Sequence, residues 1–156
     1  MAISPQMNSR LEAISALVQN GYTVKKEWDA IPYLVAANGT KKPISLFSNP
    51  AGISLIGAFF PYAVCTQIKE WSYFYVSGVL LLITSIISAA IHANLSLAVN
   101  IGVSIMYGTY FPYLRYLARE KNVKENSVGF SIVVGLLLTM VSVVPSAVID
   151  SIAFPS

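Results

Sequence analysis

The chain has 156 residues, of which 55% are hydrophobic and only 11% charged, with ten Lys or Arg against seven Asp or Glu and a net charge of +3. Soluble domains average about 25% charged residues, so this composition excludes an ordinary water-soluble globule and leaves room for one domain built around an apolar bundle. One cysteine, Cys65, excludes an internal disulfide and a cysteine metal cluster, and one histidine, His92, excludes His-rich zinc sites and leaves no spare histidine for Ser-His-Asp chemistry.

Residues 1–43 are polar and mixed, which predicts a small water-soluble appendage without a cleavable secretory leader. Ser9 followed by Glu12 has the spacing of a capping box. Leu11, Ile14, Leu17 and Val18 recur on one helical face, and Gly21 stands where a left-handed stop belongs, so a short amphipathic helix is expected. Segments 22–26, 31–37 and 41–47 read as strands, the last two joined by Asn38-Gly39, and Pro32 and Pro43 point to edge strands. A helix and a hairpin bury too little surface to fold alone, so the appendage is expected to pack on the bilayer surface or on the bundle.

Lys42 and Lys69 bracket 26 uncharged residues, but Asn49-Pro50 and Pro61 interrupt them. Segment 48–68 therefore either dips into the membrane and returns or crosses it. If it returns and the N-terminus is cytoplasmic, all ten basic residues lie inside; if it crosses, they split evenly, which the positive-inside tendency disfavours. Between Glu70 and Arg115 lie 44 residues without a formal charge, room for spans at 71–91 and 95–116 around a turn at His92-Ala93-Asn94. A third span, 128–149, ends at Asp150 and would leave the C-terminus in the periplasm. The expected fold is an all-α membrane protein with three transmembrane helices, a Pro-containing re-entrant or fourth membrane segment, and two parts at 1–43 and 44–156.

A second pattern concerns internal likeness. Gly57-Ala58-Phe59-Phe60-Pro61-Tyr62 parallels Gly108-Thr109-Tyr110-Phe111-Pro112-Tyr113, and the apolar stretches beginning at Gly78 and Gly135 match as well. This is either a tandem hairpin duplication at a period of about 50–57 residues or the chance likeness of apolar helices. Parallel repeats would share an orientation and place the appendage outside.

No nucleophile elbow, phosphate-cradling loop or zinc-helix motif can be drawn, so no catalytic, cofactor or metal residue is expected and the chain reads as a non-enzyme without a cofactor. Asn100 is the strongly polar side chain inside a span, a candidate for hydrogen bonding to a neighbouring helix or subunit. Pro61 and Pro112 mark helix breaks or kinks and Pro145 a further one. Tyr110 and Tyr113 belong to a stripe with Tyr107 and Tyr116 that reads first as an interfacial anchor and second as a stacking surface. Arg115, Arg119, Lys121 and Lys124 are candidates to face anionic lipid at the cytoplasmic side. His92 and Asp150 fall at the same outer face, a candidate pair. Gly78, Gly102, Gly108, Gly129 and Gly135 offer close helix contact. The basic residues sit at span ends, so no nucleic acid is expected as partner.

The order of Phe59-Phe60-Pro61 with basic residues just after it, an apolar span, and a second span ending in Tyr113-Leu114-Arg115-Tyr116-Leu117 resembles an uncharacterised family of small polytopic bacterial inner-membrane proteins over about residues 45–124. The layout, a few spans with a small appendage and no catalytic groups, is similar to that of phage superinfection-exclusion and bacteriocin-immunity membrane proteins. The likeness implies an inner-membrane protein that binds or blocks another membrane component, or self-associates. A small transporter or channel built from two hairpin repeats and an accessory subunit of a membrane complex are the alternatives.

Overall fold

The computed structural model describes residues 4–154. Helix α1 (Pro5–Gln19) starts at Ser4, whose Oγ accepts the Met7 N–H at 3.3 Å with Pro5 at the first helical position. This Ser-Pro start replaces the expected Ser9 start, because proline lacks the N–H that the first turn leaves unpaired and its fixed φ suits the helix. The stop is as read: Gly21 takes φ +87°, its N–H donates to Val18 O, and the Tyr22 N–H donates to Leu17 O, which satisfies the last carbonyls.

Three antiparallel strands follow in the order β1 (Thr23–Glu27), β2 (Ile31–Val35) and β3 (Lys41–Pro43). The Asn38-Gly39 turn between β2 and β3 forms, with Gly39 at φ +83° and Asn38 Oδ1 accepting the Thr40 N–H at 3.0 Å. Pro32, expected on an edge, lies in the central strand. It is tolerated because β3 is only three residues long and its pairing ends at Tyr33 opposite Pro43, so Pro32 has a neighbour on the β1 side alone.

Segment 48–68 holds α2 (Leu55–Phe59) and α3 (Pro61–Gln67), five and seven residues long and broken at Phe60. Neither approaches the ~20 residues of a crossing helix. Then come α4 (Ser72–Ile91), α5 (Ser96–Glu120) and α6 (Val128–Ala153). His92, at φ 55°, ends α4, and the Leu95 N–H donates to Ser88 Oγ across the turn.

Two helices, α4 and α6, are both long and apolar enough to cross a membrane, where three were expected. The 25-residue α5 has the length but not the apolarity. Asn100, two glycines, Pro112 and four tyrosines dilute it, and Tyr107, Phe111, Tyr113 and Leu114 in its second half are buried within the protein.

Both span-length helices are inside out. The buried face of α4 carries Ser77, Thr84, Ser85 and Ser88 beside Tyr73, Phe74 and Leu81, while Val79, Ile83, Ile86, Ile87 and Ile91 are exposed. On α6 the buried residues are Ser131, Gly135 and Ser146, and the exposed face carries Val133, Leu137, Met140, Val141 and Val144. The buried hydroxyls largely satisfy themselves: Ser77 Oγ donates to Tyr73 O at 2.6 Å and Thr84 Oγ1 to Leu80 O at 2.7 Å. Small residues let the helices meet closely, as expected of Gly78, Gly108 and Gly135. A Cβ on Gly78 would lie 3.0 Å from Ser142 O and one on Gly135 2.7 Å from Tyr62 O, whereas Gly102 and Gly129 face open space.

The ends of the bundle are fixed by hydrogen bonds. At one end Asn126 donates from its backbone to Gln67 O and from Nδ2 to Thr66 O, which places the start of α6 beside the start of α4. At the other end Ser96 Oγ donates to Asp150 Oδ2 at 3.2 Å. Helices α4 and α6 therefore run parallel, and α5 returns between their two ends.

Candidate functional site

The functional features gather where the appendage, α2, α3 and the second half of α5 meet. The N-terminal helix and sheet do not stand apart from the bundle. Ile14, Val24, Leu34 and Ile44 form a core with Tyr113 of α5, which is fully buried, and Tyr110, Tyr116 and Leu117 pack against it. The tyrosine stripe thus packs inside the protein and is not an interfacial anchor. Its spacing put alternate rings on the face that the appendage covers.

Pro112 organises this junction. A proline inside a helix gives no N–H to the carbonyl four residues back, here that of Gly108. That carbonyl instead accepts the Ser54 N–H at 2.8 Å. Asn49 holds the same loop in place. Its Nδ2 donates to Gly52 O at 2.9 Å and Thr109 O at 3.4 Å, and its Oδ1 accepts the Tyr113 O–H at 2.8 Å and the Ala51 N–H at 3.0 Å. The repeat-like motifs meet here too, with Gly57 against Phe111 and Gly108 against Ala58. Pro61 is buried at the first position of α3.

A cleft of about 1260 Å³ opens beside the junction, between α1, the 49–56 loop, α3 and the first turns of α6. Leu55, Ile56, Phe60, Val64 and Ile132 give it apolar walls, and its two charged lining residues are Arg10 and Arg115. Arg10 Nη1 donates to Ala51 O at 3.0 Å. Arg115 Nη2 donates to both oxygens of Glu125 at 2.8 and 3.0 Å, and its Nε is buried with no partner among the described residues. Arg115 is therefore not a freely lipid-facing charge. Arg119, Lys121 and Lys124 are exposed.

On the sheet side, Lys26 Nζ lies 2.9 Å from Glu70 Oε2 and 2.8 Å from Asp29 Oδ1. Burial on its own lowers the Lys26 pKa, but the hydrogen bonds and charges of Asp29 and Glu70 outweigh it and hold the ammonium above its ordinary value. The hydrogen bond from Lys26 holds the Asp29 carboxyl below its usual range. Trp28 and Asp29 form the tip of the first hairpin at φ 50° and 52°, and their carbonyls accept the Tyr75 O–H at 3.3 Å each. No Gly or Asn announces this turn in the sequence.

Two expected sites are not assembled. His92 and Asp150 lie at the same end, but Asp150 is bonded to Ser96 and no ion pair joins it to His92 among the described residues. Asn100 is exposed and its Nδ2 donates to Ser96 O of its own helix at 3.0 Å, so it bonds no other helix within the chain. Helix geometry places the carbonyl of residue i−4 within reach, which sequence position alone left open.

Comparison with family models, curated proteins and solved structures gives no match.

Proposed function

We propose that the chain is a non-enzymatic integral membrane protein, at home in a bacterial inner membrane, that acts by binding or blocking another membrane component, as superinfection-exclusion and immunity proteins do. The observation that carries this reading is the inverted patterning of α4 and α6. In water a continuous surface of Val, Ile, Leu and Met of this size would be costly, whereas in lipid it is the favoured outside. Only 11% of the apolar stretch of α6 is buried within the protein, against 33% in α4, so α6 offers the larger face to lipid or to a partner helix.

Helix α5 then makes the third crossing, because its ends lie at opposite ends of the parallel α4 and α6. Its polar residues are tolerated there where the protein covers them. In this arrangement the ten basic residues gather at the end bearing the appendage, where Trp28, Trp71 and Tyr75 are exposed beside them. Basic residues gathered at one end favour a cytoplasmic N-terminus and a periplasmic C-terminus.

A second reading, a small transporter of two hairpin repeats, is favoured by one observation, the packing of Gly57 on Phe111 and of Gly108 on Ala58 within the two like segments. Purification from native membranes after mild cross-linking tests the first reading: a specific membrane protein at near-stoichiometric yield, with no solute flux in liposomes, is the expected result. Flux without a partner would replace it with the second. Resistance to carbonate extraction and failure to label Lys121→Cys from outside intact cells test the placement.

A further inference from the structure

We propose that the cleft between α1, α3 and α6 is a binding site for one anionic membrane phospholipid, its phosphate held by Arg10 and Arg115 and its acyl chains lying along Leu55, Ile56, Phe60 and Ile132. The inference rests on the membrane placement above. Three observations carry it.

The first is charge. No carboxylate lines the cleft, and Glu125, the partner of Arg115, approaches the guanidinium from outside its lining. Arg10 has no carboxylate partner among the described residues. It spends one N–H on Ala51 O and keeps the others for a ligand. Arg115 lines the cleft and is held rigid by its two bonds to Glu125, while its Nε is buried with no partner among the described residues. Two guanidinium groups suit phosphate, which they can engage with paired donors, better than they suit a single small anion.

The second is depth. Ile132 and Val128 belong to the first turns of α6, so the cleft lies where that span enters the apolar layer, at the end carrying the basic residues. Headgroup phosphates occupy this level.

The third is the wall. Leu55 is 68%, Ile56 61% and Phe60 52% exposed; the first two belong to a helix too short to cross and Phe60 to the break after it, so they form an apolar shelf beside the cleft. The volume, about 1260 Å³, exceeds the usual range of roughly 300–1,000 Å³ for small-molecule pockets and suits a two-chain amphiphile better than free phosphate.

Native mass spectrometry of the full chain from neutral detergent, titrated with phosphatidylglycerol or phosphatidylcholine of matched acyl chains, tests the proposal. One phosphatidylglycerol is expected to be retained per chain, at least about tenfold more tightly than phosphatidylcholine, and Arg10→Gln should lower its affinity about tenfold, the loss of one charge-assisted hydrogen bond. Lys124→Gln removes an exposed charge outside the cleft and should leave the preference unchanged. Equal retention of the two lipids, or an equal effect of Lys124→Gln, would overturn the site. Displacement by millimolar inorganic phosphate would make it a free-anion site and also overturn the lipid reading. If Arg10→Gln does not fold, Phe60→Trp supplies the readout. Brominated phosphatidylglycerol should quench its added fluorescence more than brominated phosphatidylcholine does, and equal quenching refutes the proposal. A chain that leaves membranes on carbonate extraction would defeat the membrane placement itself, whereas a chain that stays but shows no lipid preference defeats only this site.

Discussion

Replacing Lys26 by Met keeps most of the aliphatic stem and removes the ammonium that fastens the sheet to the start of α4. Lys26 and Glu70 are each 11% exposed, at 2.9 Å. Removing one partner of a fully buried pair costs about 3–5 kcal/mol, because the other is left charged and unpaired. Here Glu70 keeps a long bond from the Ser72 N–H at 3.4 Å and a little solvent, so the expected loss is about 2–3 kcal/mol. Asp29, at 83% exposure, adds little to that figure. The double variant Lys26→Met/Glu70→Leu leaves no orphan charge and should recover all but about 1 kcal/mol of the loss. Unfolding titrations in mixed micelles, followed by near-ultraviolet circular dichroism, give the three values of the cycle. A single-variant loss below about 0.5 kcal/mol, or a double variant no more stable than Lys26→Met, would refute the argument.

The pH dependence of that junction follows from the same contacts. Asp29 is lowered from 3.8, so its contribution is complete above that value and is lost as pH falls through its lower folded pKa. Lys26 is raised from 10.5, so its contribution is complete below that value and is lost as pH rises through its higher folded pKa. Both limits should vanish from the stability profile of Lys26→Met. Pro112→Ala restores an N–H that competes for Gly108 O, so hydrogen exchange at the Ser54 amide should accelerate about tenfold, and an unchanged rate would show that the loop does not depend on the proline. Gly135→Leu drives a side chain into Tyr62 O, 2.7 Å from the added Cβ, and should destabilise by at least about 1–3 kcal/mol in the same titration. Asn100→Leu should leave the melting of the isolated chain within about 0.5 kcal/mol and reduce cross-linked dimers or partner yield, since the amide bonds only its own helix here. The fragment 1–43 expressed alone should give narrow amide shifts, because Tyr113 fills its core; a dispersed spectrum would contradict that.

Local rules made much of this fold legible. The turn at His92, the break at Pro61, the Asn38-Gly39 hairpin and the stop at Gly21 each depend on neighbours within four residues, and each is where the sequence put it. What was not legible depends on distant partners. The tyrosines of α5 satisfy an interfacial pattern and a core pattern equally well, and only the docking of Ile14 and Leu34 on Tyr113 decides between them. The Trp28-Asp29 tip has Asp29 but no Gly or Asn at its two positive-φ positions, and Tyr75, 47 residues from Trp28, secures it. Of the candidate site, the basic segment 115–124 was visible. The cleft was not, since Arg10 reads as one more charge on an amphipathic helix until residues 49–56 fold over beside it. The apolarity of α5 was over-read because absence of charge was taken for it, and tyrosine, glycine and asparagine are uncharged without being apolar.

That Tyr113 belongs to the core of the appendage sets an order on biosynthesis. Residues up to Ile44 leave the ribosome 69 positions before the ring that completes their packing. At about 5–20 residues per second the delay is roughly 3–14 s, while β-hairpins form in about 1–10 μs. For that interval the strands have edges to pair but lack the ring that completes their interior. The appendage thus finishes folding only after most of α5 has been made, and arrest of translation before Tyr113 should leave a protease-sensitive amino-terminal segment.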